Sequence, residues 1–261
     1  MPPSIITLTT DFGCADTYVA QMKGVILSIN PAATIVDITH EIPPQDIMRG
    51  SRALGEIWQA FPAGTIHVAV IDPGVGTSRG LLAAKCDDRL FVLPNNGLLS
   101  HVLRSNPSEE IVELRNQTYW RENISNTFHG RDIMAPVAAH LSLGVRLSAL
   151  GPNATDVTLL ECLEPRFEER QLLGTIVRID HFGNLITNIE VTHLRHIPAT
   201  EIIVRCNEQQ VNGISQTYAV YPQGTLIALL GSQGWLELAV VNGSAAAQTG
   251  AQISDVVTVA W

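Results

Sequence analysis

TIVDITHEIPPQDIMRGSRALGEIWQAFPAGTIHVAVIDPG, residues 34–74, is the stretch that decides the fold. Its ends, TIVDIT (34–39) and TIHVAVI (65–71), are short runs rich in β-branched residues. The segment between them (46–61) puts Ile47, Leu54, Ile57, Trp58 and Phe61 on one helical stripe, with Asp46 as its N-cap. Strand, helix, strand is the unit of a parallel sheet covered by helices. Working outward, IITLTT (5–10) adds a strand and TYVAQMKGVILSIN (17–30) a helix. That helix has Asp16 as N-cap, Val19, Met22, Ile26 and Ile29 toward a core, and Pro31 beyond its end. LLAAKC and RLFVLP, joined by Asp87-Asp88, read as a hairpin, and GLLSHVLR and DIMAPVAAHLSLG as further helix.

The pattern changes after Gly151-Pro152. Residues 152–170 are acidic and irregular, and from about residue 171 the runs LLGTIVRI, LITNIEV, EIIVRC, QTYAV, TLIALL, WLELAVV and VVTVAW are separated by turn residues. The sequence therefore predicts two domains: an α/β domain over 1–151, with a central, mostly parallel sheet flanked by helices, and an all-β domain over 171–261. The second reads as a small antiparallel barrel, and 152–170 is the linker.

Composition narrows the function. The 261 residues are 46% hydrophobic and 16% charged, which is ordinary for a folded globular chain. Sixteen Lys and Arg against 25 Asp and Glu give a net charge of −9, with no basic run to meet nucleic acid or an anionic membrane. A small-molecule partner is expected. No apolar stretch reaches the length of a membrane span, and the first residues do not read as a signal peptide, so a cytoplasmic location is expected. Cys14, Cys86, Cys162 and Cys206 are scattered, without a CxxC pair, as suits reduced packing residues.

Ligands of open α/β sheets bind beyond the carboxyl ends of the strands, where loops and helix N-termini converge. Three polar clusters fall there: Thr9-Thr10-Asp11-Phe12-Gly13, His40-Glu41, and Asp72-Pro73-Gly74-Val75-Gly76-Thr77-Ser78-Arg79. In the last, Arg79 stands seven residues after Asp72 and can fold back to pair with it, though the segment equally fits a plain turn with a solvated arginine. It lacks the spacing and the lysine of a phosphate loop. In NTFHGRD, His129 sits beside Gly130, ahead of a helix that Asp132 is placed to cap; a core or capping histidine is the alternative. Asp11 offers two oxygens to paired hydroxyls, or else an Asx-turn. Asp180, Phe182 and Asn184 surround one bend and Ser232 and Trp235 another, with hairpin and core roles open to them. No histidine pair has metal-ligand spacing such as HExxH, so no metal is expected.

Together TTDFG (9–13), DITHEIPPQDI (37–47), HVAVIDPGVGTSR (67–79), TFHGRDIMAPVAAHL (127–141), IDHFGNLITNI (179–189) and GSQGWLELAVVNGSAA (231–246) resemble the S-adenosyl-L-methionine hydroxide adenosyltransferase family, from end to end of the chain. The resemblance implies hydrolysis of S-adenosyl-L-methionine to adenosine and methionine, without cofactor, in a homotrimer whose substrate lies where one subunit's α/β domain meets its neighbour's barrel. It implies that Asp72, Arg79 and His129 position the water, Asp11 holds the ribose, Phe182 and Asn184 the adenine, and Asp180 and Ser232 the methionine end. Trp235 and Asn95 join the expected substrate contacts; Asn95 departs from the family's usual Asp and cannot serve as a base. The related fluorinases and chlorinases are the nearest alternative. An anionic Asp72 would repel halide, no long extra loop interrupts the first domain, and Gln45 replaces the fluorinases' tryptophan. A non-catalytic adenosine or S-adenosylmethionine binder is the other; it would have no need of a positioned base.

Overall fold

The computed structural model describes residues 4–261. They form two compact units that divide between Leu160 and Glu161.

The first unit runs β1 (Ile5–Thr10), α1 (Tyr18–Ile29), β2 (Thr34–Thr39), α2 (Ile47–Ile57), β3 (Ile66–Val70), β4 (Leu81–Cys86), β5 (Arg89–Pro94), α3 (Ser100–Ser105), β6 (Glu110–Glu113) and α4 (Ala135–Ser142). Its six-stranded sheet has the order β2-β1-β3-β5-β4-β6. The pairs β1–β2, β1–β3 and β3–β5 are parallel, while β4 joins β5 and β6 antiparallel. Successive residues of one strand serve opposite faces, as the pleat demands. Val68 and Val70 pack with Met22, Ile26 and Val137 of α1 and α4, whereas Ala69 and Ile71 pack with Leu54, Trp58 and Leu98 on the α2 and α3 side. Asp46 caps α2, its carboxylate accepting from Arg49 N at 2.9 Å. The α1 helix corrects the reading above: Thr17, not Asp16, is its N-cap, with no side-chain cap bond. Asp87 and Asp88 take φ of 45° and 58°, the twist that a two-residue hairpin turn needs.

The second unit holds β7 (Arg166–Glu168), β8 (Gln171–Ile179), β9 (Leu185–Glu190), α5 (Val191–Leu194), β10 (Ile203–Cys206), β11 (Gln209–Asn212), β12 (Leu226–Leu230), β13 (Trp235–Val240), α6 (Ala245–Thr249) and β14 (Val256–Ala260). Its strands follow the antiparallel order β11-β10-β14-β8-β9-β13-β12, with β7 added beside β8. Ser215, just past β11, bridges Leu229 of β12, so the two ends of the path meet in a nearly closed barrel. QTYAV does not become a strand. Residues 216–220 are all exposed, so no apolar face fixes them against a neighbour. The short strands β6 (EIVE) and β11 (QQVN) lay outside the sequence reading because each has too few apolar residues to show a period; pairing with β4 and β10 fixes them. Among the described residues no helix is long and apolar enough to cross a membrane.

Candidate active site

Because β2, β1 and β3 are neighbours and parallel, their carboxyl ends share one rim; Thr9 is opposite Thr39, and Thr10 opposite Val70. Asp11 follows β1 directly and Asp72 lies two residues beyond β3. They line one cavity of about 420 Å³ with Gln45, Thr127 and His129. Phe12, Tyr18 and Phe128 form an apolar wall there, with ring centroids 5.4–5.7 Å apart.

The turn after β3 folds Arg79 back onto Asp72. Arg79 Nε donates to Asp72 Oδ1 at 2.6 Å, and Nη2 donates both to Oδ2 and, at 3.1 Å, to His129 Nδ1. The side chains of Asp72 and Arg79 are only 5% and 11% exposed, so the pair is largely removed from bulk water. A guanidinium can only donate, so His129 Nδ1 must accept, and the neutral ring carries its proton on Nε2. Burial and then the Arg79 charge hold the His129 pKa below its ordinary 6.5, favouring that neutral ring. Arg79 does not line the cavity: it stands behind Asp72 and His129 and fixes both.

Two backbone features hold these loops together. Gly76 has φ of +78°, and a Cβ there would collide with the carbonyl oxygen of Asn126, so only glycine lets the Asp72–Arg79 turn meet the loop that carries His129. At the other wall Gln45 is left-handed (φ 66°), and its N–H donates to Asp11 Oδ2 at 2.8 Å. That bond uses Oδ2 and leaves Asp11 Oδ1 without a hydrogen bond among the described residues.

The remaining expected contacts are Asn95 in the first unit and Asp180, Phe182, Asn184, Ser232 and Trp235 in the second. Asn95 does not line the cavity: its amide donates to Asp156 O and accepts from Thr158 N, at 2.9 and 2.8 Å, so both its ends hold the 156–158 segment. In the second unit Asp180 Oδ1 accepts from Phe182 N and Asn184 N, and Oδ2 from the Asn184 side chain, each at 2.9 Å, making a self-bonded turn from β8 to β9. Phe182 projects from it, 73% exposed. Ser232 is exposed and Trp235 half-buried; Trp235 pairs with Glu190, at the end of β9 away from Asn184.

Asp132 corrects the sequence reading. It does not cap the helix after His129 but lies inside it, within a π-helical turn over Gly130–Met134, and is fully buried against Arg121 and Arg131. The wider turn has no sequence signature, so HGRD looks like an ordinary helix start.

Residues 6–151 match the SAM hydroxide adenosyltransferase N-terminal domain and residues 174–258 the C-terminal domain. The chain belongs to this family. It is 36% identical to the (R)-S-adenosyl-L-methionine hydrolase of Salinispora tropica, with 97% of each chain covered. It is 30% identical to a fluorinase of Nocardia brasiliensis, over 90% of this chain and 89% of that one. Among solved structures, one described as an uncharacterized conserved protein from Thermotoga maritima superposes with a TM-score of 0.92 at 34% identity, covering 98% of this chain and all of that one.

Proposed function

We propose that this protein hydrolyses S-adenosyl-L-methionine to adenosine and L-methionine by in-line attack of water on C5′. The observation that carries the reading is the Asp72–Arg79–His129 cluster, with Asp72 and His129 on the wall of the cavity that Asp11 also lines. The chain's close relatives bear the corresponding name.

The chemistry asks little beyond placement. The sulfonium is already a good leaving group: as the water oxygen bonds to C5′, the C5′–S bond breaks and its electron pair returns to sulfur, leaving the neutral thioether of methionine. Holding one water in line removes most of the entropic barrier, and a nearby acceptor takes its proton. In our reading Asp72 is that acceptor, since its oxygens have lone pairs left after the two bonds from Arg79. His129, neutral with its proton on Nε2, donates to the same water and orients it. Opposite charges cancel as water yields its proton and attacks a sulfonium, so a cavity poor in bulk water favours the step. No metal or organic cofactor is required.

The same proposal includes the finer features of the family resemblance. Asp11 holds the ribose hydroxyls through its free oxygen. Phe182 and Asn184 serve the adenine, Asp180 and Ser232 the methionine end, Trp235 packs against the substrate, and the chain works as a homotrimer. The exposure of the Phe182 ring, which invites cover, supports the assembly. A cytoplasmic location fits Cys14, Cys86 and Cys206, which are all free thiols.

The test is product analysis in the presence of excess chloride or fluoride and of a chelator. Adenosine and methionine are expected in equal amounts, undiminished by either addition. A 5′-halo-5′-deoxyadenosine product, or loss of activity to the chelator, would overturn the reading.

A further inference from the structure

We propose that Asp132 is a positioning residue for His129, fastening the segment that carries the imidazole to Arg79 without touching the substrate. The inference rests on the function proposed above, but its geometry is independent of it.

Asp132 gathers bonds from both sides of that segment. Its carboxylate accepts from Arg121 Nη1 and Arg131 Nε through Oδ1, at 2.8 and 2.7 Å. Through Oδ2 it accepts from Ser125 N and Arg131 Nη2, both at 2.9 Å. Its own carbonyl accepts from Arg121 N at 2.9 Å. The chain from 121 to 125 is thus tied to Asp132 at both ends. Only Asn126, Thr127 and Phe128 then separate the tie from His129.

Those three residues are themselves held, Thr127 through its N–H, which donates to Ser125 Oγ at 3.2 Å. The Asn126 carbonyl rests against Gly76, and the Phe128 ring lies under the Arg131 guanidinium at 5.0 Å while meeting Phe12 and Tyr18. Arg131 also reaches across to α1, donating to Gln21 Oε1 at 2.8 Å. On the other side of His129, Gly130 fits between Val70 and Met22, where a Cβ would come within 3.1 Å of Val70. The π-turn then brings the Asp132 carboxylate inward, back beneath the segment that precedes His129. Single π-turns inside helices concentrate at functional sites because they shift a side chain by a fraction of a turn.

Charge alone and positioning make opposite predictions here. The groups that act on the His129 ring are Arg79, Asp72 and Asp132; burial and Arg79 lower its pKa, while Asp72 and Asp132 raise it. If Asp132 acted only through its charge, Asp132→Asn would lower the His129 pKa further. If it positions the ring, the same variant lets His129 leave Arg79 and gain water, and the pKa rises toward 6.5.

Long-range ¹H–¹⁵N spectra of the ligand-free protein, with the His129 signal assigned by its loss in His129→Gln, read this directly. For the unaltered protein we expect a neutral ring protonated on Nε2. For Asp132→Asn we expect mixed tautomers, an upward pKa shift, and a kcat lowered at least about tenfold with KM little changed. Arg121→Gln, whose side chain is 43% exposed and so less vital to folding, should give the same shifts in weaker form. An unmoved or lowered His129 pKa in both variants would overturn the proposal. Because the spectra need no substrate, that failure is distinct from a failure of the hydrolase reading.

Discussion

Asp72→Asn is expected to lower turnover by roughly 10³-fold while substrate affinity stays within about fivefold. The asparagine keeps the volume of the carboxylate but loses its function twice. Its amide cannot accept the proton of an attacking water. One of its ends would also become an N–H donor facing the donors of Arg79, which now meet two oxygens. Affinity changes little because the ribose acceptor is a different residue, Asp11, and because Arg79 already neutralises Asp72 toward a cationic substrate. Pre-steady-state turnover beside calorimetric binding separates the two quantities. Turnover within tenfold of the unaltered protein would show that Asp72 is not the acceptor.

Arg79→Met should damage both activity and stability. Removing one partner of a buried ion pair leaves the other charge unpaired, at a cost of about 3–5 kcal/mol. With Asp72 only 5% exposed, the melting temperature should drop by roughly 10 °C. Turnover should fall at least as far as in Asp72→Asn, since Asp72 and His129 lose their common anchor together. Arg79→Lys should recover some stability but little activity, because a single ammonium cannot reproduce a two-pronged grip on Asp72 and a third bond to His129. Thermal unfolding and turnover measured on both variants check this; full activity in Arg79→Lys would mean that a nearby charge suffices and the geometry does not matter.

How much of this was legible in the sequence follows from the range of each interaction. Apart from β6, the strands and helices of the first unit show in local periodicity, and the strand-end rule gathers Asp11 and Asp72 without knowledge of any contact. The Asp72–Arg79 pair is a local turn, so its spacing suggests it; the pairing with His129, 50 residues further on, does not show in spacing and came only with the family resemblance. Asp132 was misread because an acidic residue before an apolar run is the usual mark of a cap, and the π-turn that buries it depends on two arginines meeting it in space. Asn95 shows the same limit. Its amide looks available in FVLPNNGLL, yet residues 61 and 63 positions later take both its ends. In the second unit, QTYAV has the composition of a strand but no partner edge, while polar QQVN becomes a strand because β10 supplies one.

The central claim is that water attacks C5′ of S-adenosyl-L-methionine at the Asp72–Arg79–His129 site. Turnover in ¹⁸O-enriched water, with both products weighed by mass spectrometry, tests it most directly. The account predicts one ¹⁸O in the 5′-hydroxyl of adenosine and none in methionine. Unlabelled adenosine, or release of methylthioadenosine in its place, would contradict it.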